Sequence, residues 1–258
     1  MAEVSDIVVD RELALTNYAL TFRASALVDN ERKDIVVKRA LNEDGWEAFE
    51  RELRILRMVR HKYIVELWGA NERCHELYLP CIMGPSLGGF LDRFGKMPAK
   101  VTRHLLGMIT ESVVYLHEPE DDREPIVHYD ISDNNCLIQK GAIKLIDFGT
   151  SFPEGGFPGY YLEEEIGTPR FMSPEKLRKQ PEYGRASDVY GLGVIGYKML
   201  EGVEPFLEAY GDLRRQILHD APLPLSSGDP ALDELIMACL EKNPMNRPTT
   251  RELYKRLG

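Results

Sequence analysis

The apolar residues of this chain change their spacing once along its length. Up to about Pro80 they favour short strands, and after Met97 they recur at the spacing of helices. The predicted strands are Ala19–Leu27, Asp34–Arg39, Ile64–Trp68 and Glu76–Pro80, with a single helix at about Trp46–Val59. The predicted later helices are Val101–Leu116, Ala186–Leu200, Leu207–Leu218, Ala231–Cys239 and Thr250–Leu257. This order of elements indicates an α+β protein with a small strand-rich part followed by a larger helical part.

A stretch rich in glycine, proline and serine, Gly84–Gly89, separates the two parts. Such a stretch is typical of a hinge, and the junction between two lobes is a frequent ligand site. We therefore predict one domain over residues 1–258, with a small lobe at about 1–83, a hinge at about 81–88 and a large lobe at about 89–258. The acidic stretch Glu118–Glu124 is predicted to be a solvated loop after a helix.

The negative net charge of the chain limits the partners that it can bind through general electrostatics. A formal net charge of -10 argues against binding to nucleic acid or to anionic lipid through general electrostatics. No apolar run approaches the roughly 18 residues that a membrane-spanning helix needs, and the acidic N-terminal region does not resemble a signal peptide. We expect a protein of the cytoplasm or nucleus that is not secreted and has no transmembrane segment.

The four cysteines are widely spaced and form no metal-binding pattern. They are Cys74, Cys81, Cys136 and Cys239, and the prediction is free thiols in a reducing compartment.

Two acidic motifs stand in the helical part, HYDISDNN and IDFG. In the first, Asp130 is followed five residues later by Asn135, and Asp147 of the second comes twelve residues after that. Carboxylate and amide oxygens are the hard ligands that Mg²⁺ prefers. In this order and spacing, the two motifs resemble the catalytic and metal-binding loops of protein kinases.

The resemblance implies a bilobal protein-kinase-like fold, with a small β-rich N-lobe that holds one helix, helix C, and a larger, mainly helical C-lobe. It implies ATP and Mg²⁺ as cofactors, with Asn135 and Asp147 as metal ligands. Asp130 would orient the acceptor hydroxyl and take its proton. The resemblance runs from about Tyr18 to Leu257.

The resemblance also assigns an ion pair in the small lobe. Lys38, at the end of IVVK, matches the lysine that contacts the α- and β-phosphates of ATP. Glu52 in the following helix matches its partner, with Glu47 and Glu50 as alternatives nearby.

The adenine site is assigned in the same way. Val36 stands where the family usually has a small alanine above the base, and Leu137 is assigned to the same site. The segment LPCIMGPSL resembles the hinge of the casein kinase 1 group, which puts Cys81 and Met83 at the edge of the adenine.

Architectural residues complete the resemblance. Glu175 in GTPRFMSPE is predicted to be buried and paired with Arg247, and Asp188 is predicted to hold the backbone of the catalytic loop. His128 matches a packing position of the family, together with Leu56, Leu67 and Phe148, and is therefore expected to be structural.

The chain departs from the family in its nucleotide-covering loop and in its catalytic loop. Residues 1–44 contain no glycine, and Ala14, Thr16 and Ala19 stand at the expected glycine positions, which predicts weaker phosphate contact or a more open loop. Ser132 stands where serine/threonine kinases have a lysine, and the candidate substitutes for that cation are Arg170, Arg215 or a group of the substrate.

Three functions remain open from the sequence. The first is a protein kinase of low activity that transfers the γ-phosphate of ATP to serine or threonine of a protein substrate. The second is a pseudokinase, a nucleotide-binding or scaffolding module with a regulatory protein partner. The third is a kinase-like enzyme for a small molecule, against which the intact GTPRFMSPE and NPMNRPT motifs argue.

Overall fold

The computed structural model describes residues 2–120, 123–156, 167–180 and 184–258. It contains two compact units. The N-terminal unit comprises residues 1–83 and 146–150, and the C-terminal unit comprises residues 84–145 and 151–258. The chain thus returns to the first unit for five residues, which the order of predicted elements does not indicate. The assignment of both units to one domain stays a prediction.

The N-terminal unit contains a five-stranded antiparallel sheet with the order β1-β2-β3-β5-β4. Its strands are β1 Val4–Leu15, β2 Ala19–Val28, β3 Glu31–Ala40, β4 Gly69–Asn71 and β5 Glu76–Pro80. Alternate residues of β2 and β3, including Ala24, Ala26, Ile35 and Val37, are buried on one face. This alternation is the sequence pattern that predicts both strands.

The predicted strand Ile64–Trp68 is wrong. The strand begins only at Gly69, although Ile64, Val65 and Leu67 are buried. Burial produces the same apolar pattern with or without a hydrogen-bonded ladder, so the pattern did not locate the strand.

Helix α1, Glu43–Met58, also belongs to this unit. Asn42 caps it, because its side chain accepts a hydrogen bond from the Gly45 amide at 3.0 Å. Phe49, Leu53 and Leu56 are buried, as their helical spacing predicts.

The C-terminal unit is mainly helical. Its helices are α2 Leu87–Phe94, α3 Ala99–His117, α4 Pro174–Leu177, α5 Gly184–Glu201, α6 Leu213–His219, α7 Pro230–Cys239 and α8 Thr250–Leu257. Two small antiparallel pairs accompany them, β6 Ile126–Val127 with β9 Phe152–Pro153, and β7 Cys136–Gln139 with β8 Ala142–Leu145. Helix α5 is buried along most of its length and packs on α3 and α7. The predicted α+β class is confirmed.

Two predictions in this unit need correction. The helix expected at Leu207–Leu218 is split into a 3-10 turn, Glu208–Tyr210, and α6, because Gly211 has a φ of 124° and Asp212 caps a new helix. Of the predicted acidic loop Glu118–Glu124, residues 121–122 lie outside the described residues, and Arg123 is buried rather than solvated, since it donates hydrogen bonds to carbonyls at the end of α3. Among the described residues, no helix combines the length and the apolar character that crossing a membrane requires.

Candidate active site

Lys38 is the centre of a charged cluster in the N-terminal unit. Its Nζ atom donates to Glu52 Oε2 at 2.7 Å and to Asp147 Oδ1 at 2.8 Å. The Lys38 side chain is 21% exposed and that of Glu52 only 2%. Burial alone would lower the pKa of Lys38, but the carboxylates of Asp147 and Glu52 outweigh it and raise the pKa, so the lysine is held as a cation.

The structure distinguishes Glu52 from the alternatives on the same helix. Glu47 and Glu50 are exposed on α1, whereas Glu52 faces the interior. Its second oxygen accepts a hydrogen bond from the Phe148 amide at 3.1 Å. Arg51 adds a second link to the same segment by donating to the Gly149 carbonyl at 2.7 Å. Helix α1 is therefore joined to residues 146–150 at two adjacent positions.

Asp147 lies in a strained backbone conformation. Its φ is 64°, a region that residues other than glycine seldom adopt, and its Oδ1 atom accepts a hydrogen bond from the Gly149 amide at 3.1 Å. The side chain is 44% exposed. A carboxylate held in this way is a suitable ligand for a hard cation.

The second cluster, around Asp130, lies in the C-terminal unit. Asn135 donates through Nδ2 to the Asp130 carbonyl at 2.9 Å and to Asp130 Oδ2 at 2.8 Å. The other oxygen of Asp130 accepts from the Thr168 amide at 2.9 Å. Because the Asn135 amide nitrogen faces Asp130, its carbonyl oxygen is the atom left to act as a ligand. The carbonyl oxygen of Asn135, like the carboxylate of Asp147, is a hard oxygen donor of the kind that fits Mg²⁺.

Asp188 fixes the backbone just before Asp130. Its carboxylate accepts from the amides of His128 and Tyr129, both at 2.8 Å, and lies 2.9 Å from His117 Nε2. Tyr129 has a φ of 62°. His128 is fully buried, in agreement with the structural role predicted for it. The predicted contact of Asp188 with the catalytic loop is present.

The predicted pair of Glu175 and Arg247 is also formed. Two hydrogen bonds of 2.6 and 2.8 Å join them, and both side chains are fully buried. Ser187 donates to Glu175 as well, at 2.8 Å. Glu175 lies in α4, and Thr168, whose amide contacts Asp130, precedes that helix in the chain.

The residues assigned to adenine are divided between the units. Val36 is half-buried on β3, and the Cys81 amide continues the β3–β5 pairing by donating to Asp34 at 3.2 Å. Met83 is 64% exposed, and Leu137 is half-buried on β7 of the C-terminal unit. Their roles at adenine stay predictions.

The open loop expected between β1 and β2 is not formed. Thr16 closes a tight turn, since its amide donates to Ala19 O at 2.9 Å and its hydroxyl accepts from the Ala19 amide at 3.0 Å. The carbonyls of Asn17 and Tyr18 accept from the Asn42 side chain and the Leu41 amide, each at 2.9 Å. The turn is thus attached to the start of α1.

The proposed substitute cations have other partners. Arg170 lies 3.8 Å from Glu204 and 3.9 Å from Glu208, and Arg215 lies 3.5 Å from Asp220. Ser132 is fully buried, and its hydroxyl has no hydrogen-bond partner in the described part of the chain. A residue that sequence reasoning did not select, Lys176, donates instead to the carbonyl of Tyr129 at 2.5 Å. No motif marks this lysine, because its proximity to Asp130 arises only from the fold.

Comparisons with known proteins show what the chain is similar to. The family model described as the protein kinase domain matches residues 25–257. Human calcium/calmodulin-dependent protein kinase type 1B is 34% identical over 235 residues, which cover 86% of this chain and 65% of that protein. The mitogen-activated protein kinase kinase MST7 of Pyricularia oryzae is 32% identical over 226 residues, which cover 80% of this chain and 52% of that protein.

The fold is similar to that of a solved kinase. A crystal structure of the Rad53 kinase domain and SCD2 in complex with AMPPNP matches with a TM-score of 0.69 at 23% identity, covering 91% of this chain and 84% of that chain. The present chain spans less than two thirds of the length of the two curated relatives. It belongs to the protein kinase domain family.

Proposed function

We propose that the protein is an ATP-dependent protein kinase that phosphorylates serine or threonine of a protein substrate at a low rate. The observation that carries this proposal is the contact of Lys38 with both Glu52 and Asp147. Kinases transfer phosphate only when the lysine–glutamate pair and the metal-binding aspartate are both in place. The contacts of Lys38 with both carboxylates support the proposal, because they are those that this requirement calls for.

The other site residues have complementary roles. ATP with Mg²⁺ would supply the phosphoryl group and neutralise part of its charge. Asn135 and Asp147 would hold the metal, and Lys38 would contact the phosphates with its remaining N–H. Asp130, fixed through Asn135 and the Thr168 amide, would orient the acceptor hydroxyl and take its proton.

The adenine would bind to Val36, Cys81, Met83 and Leu137. We expect no nucleic acid among the partners because of the net charge of -10. A serine or threonine acceptor is supported by Gly167-Thr168-Pro169, which the family's tyrosine kinases seldom have.

A pseudokinase that binds a regulatory partner is the second candidate. It is favoured by the tight, glycine-free turn after β1, which offers no flexible backbone to enclose phosphates. Ser132 supports it too, since the catalytic loop lacks its usual cation.

The test combines a binding and a transfer measurement on the purified protein. Thermal stability is measured with and without ATP and Mg²⁺, and transfer of labelled phosphate to the protein itself and to a generic protein acceptor is followed. We expect stabilisation by the nucleotide, and transfer that falls by at least about 10²-fold in Lys38→Met, Asp147→Ala and Asp130→Asn.

Lys100→Met is the matched control, because this lysine is exposed on α3. It should transfer phosphate like the wild type. Stabilisation without transfer, unchanged in Asp130→Asn, would favour the pseudokinase. No stabilisation even at millimolar nucleotide would contradict the assignment of ATP.

A further inference from the structure

The acceptor side of the candidate site has an unusual charge balance. The sequence from Asp130 to Asn135 contains two aspartates and no cation. Phosphate transfer brings a strongly anionic group towards the Asp130 carboxylate, and such charge is stabilised by cations or N–H groups already in place. Ser132 cannot supply that charge, since its buried side chain is neutral. A cation from elsewhere in the fold is therefore needed if phosphate transfer is efficient.

Lys176 places an ammonium group close to Asp130. The Cβ position built on Gly167 would lie 2.9 Å from Lys176 Nζ and 3.3 Å from Asp130 Oδ1, so the two charged atoms are no more than about 6 Å apart. Glycine is required at this point, because its φ is 115° and a side chain would meet both groups. A small cavity of about 10 Å³ is lined by Asp130, Lys176 and Thr168, among others.

The position of Lys176 is fixed on both sides. Its Nζ atom donates to the Tyr129 carbonyl, one residue before Asp130. Its backbone amide donates to Ser173, the cap of α4, and the preceding residue, Glu175, is locked by Arg247. These contacts hold Lys176 in one position, which is required of a residue that acts through its charge.

The two groups also interact through their charges. Burial lowers the pKa of Lys176, and the Asp130 carboxylate acts in the opposite direction. Burial is the larger of the two effects, so the pKa of Lys176 is lowered overall, while the charge of Asp130 favours the ammonium form.

We propose that Lys176, on α4, supplies the positive charge beside Asp130 that the catalytic loop lacks. It acts as a positioning residue, because it holds the backbone before Asp130 and offsets the repulsion between that carboxylate and an incoming phosphoryl group. This inference rests on the proposed kinase activity and adds to it the origin of the missing cation.

The test separates charge from hydrogen bonding. Lys176→Arg keeps both the charge and a donor for the Tyr129 carbonyl, whereas Lys176→Gln keeps only a donor. The two are compared with the wild type and with Lys100→Met in steady-state phosphate transfer, after thermal melting has shown that each is folded. We expect kcat to fall about 10²-fold in the glutamine variant with little change in the KM for ATP, and to stay within about tenfold of the wild type in the arginine variant.

A binding measurement gives a readout without turnover. Titration calorimetry compares, in the presence of Mg²⁺, ADP with the non-hydrolysable analogue AMPPNP. The ratio of the two affinities reports the contribution of the third phosphate to binding. We expect this ratio to be about tenfold smaller in Lys176→Gln than in the wild type and to be unchanged in Lys176→Arg.

The possible outcomes bear either on the role of Lys176 or on the proposed kinase activity. A wild type that transfers phosphate while the glutamine variant has the same kcat and the same affinity ratio overturns the role of Lys176 alone. Equal losses in the arginine and glutamine variants, both folded, overturn it as well, since charge would then not matter. A wild type that binds nucleotide but transfers no phosphate overturns the proposed function, and this inference with it.

Discussion

The ion pairs of this protein differ most in their exposure to water. Glu175 and Arg247 are fully buried and share two hydrogen bonds, whereas the side chains of Arg256 and Glu234 are 46% and 78% exposed. A buried charge that loses its partner retains the full cost of desolvation, but an exposed charge is solvated by water. The two pairs should therefore respond very differently to the loss of one carboxylate.

Replacing Glu175 by alanine should lower the free energy of unfolding by about 3–5 kcal/mol, because Arg247 would stay buried without its counter-charge. Urea denaturation at neutral pH measures this. The control is Glu234→Ala, which should cost at most about 1 kcal/mol. Similar losses in the two variants would contradict the burial of the first pair.

The environment of Lys242 should make the stability of the protein depend on pH. Its Nζ atom donates to the carbonyls of Gln216 and Ile217 at 3.2 and 2.6 Å and lies 4.0 Å from the centre of the Phe206 ring. Burial lowers the pKa of Lys242 from its ordinary 10.5 to about 8, with the charge of Asp220 opposing the shift. Between these two values the unfolded chain binds a proton that the folded chain does not, so a rise in pH favours the folded state.

The wild type should therefore gain stability relative to Lys242→Met as the pH rises from about 8 to 10.5. Chemical denaturation at intervals across this range would show the difference between the two proteins. Lys255→Met, at an exposed position on α8, serves as the control, and the wild type should show no such gain relative to this variant. A constant difference between wild type and Lys242→Met at all pH values would rule out the low pKa of this lysine.

At the scale of elements, the start of α1 and the turn after β1 act together. The helix begins with Asn42, whose side chain contacts both the Gly45 amide and the Asn17 carbonyl. A Cβ atom at Gly45 would lie only 2.2 Å from the Tyr18 carbonyl oxygen. Glycine in a helix is normally unfavourable, so here the close approach of the turn explains its presence.

Gly45→Ala should therefore lower the free energy of unfolding by about 1–3 kcal/mol, although alanine is the better helix former. The matched control is Gly107→Ala in α3, where a Cβ atom meets nothing within 4 Å. That change should be neutral or stabilising by up to about 1 kcal/mol. Thermal or urea unfolding measures the stability of both variants. A Gly45→Ala variant as stable as the wild type would show that the turn after β1 can shift away from α1 without cost.

At the scale of the whole molecule, the net charge of -10 bears on the choice of acceptor. A cavity of about 510 Å³ in the C-terminal unit has more acidic than basic residues in its lining. Its charged residues are Asp92, Asp133, Glu204 and Glu208, with Arg170 and Lys198. An acidic surface attracts basic peptides, and salt weakens the attraction.

If the proposed kinase activity holds, kcat/KM should be higher for a peptide rich in lysine and arginine than for an acidic peptide with the same acceptor serine. Raising the salt concentration from about 0.05 to 0.5 M should lower kcat/KM for the basic peptide about tenfold. An uncharged peptide is the control and should change little. A basic peptide insensitive to salt would mean that the charge of the molecule does not select its acceptors.

Local patterns in the sequence account for most of the elements. The alternation in β2 and β3 and the helical spacing of Phe49, Leu53 and Leu56 follow from which faces are buried, so the order of residues alone identifies these elements. The Asp130, Asn135 and Asp147 motifs stand out as well, because their chemistry depends on residue types at short spacing. The error at Ile64–Trp68 shows the limit, since burial there occurs without a strand.

The sequence by itself thus determined the α+β class, the change from strands to helices along the chain and the resemblance to the protein kinase family. Only the tertiary structure decided that Glu52, rather than Glu47 or Glu50, contacts Lys38 and that Lys176 approaches Asp130. The physical reason is distance along the chain. Contacts between Lys38 and Asp147, or Asp130 and Lys176, depend on how whole elements pack, which the pattern of neighbouring residues does not record.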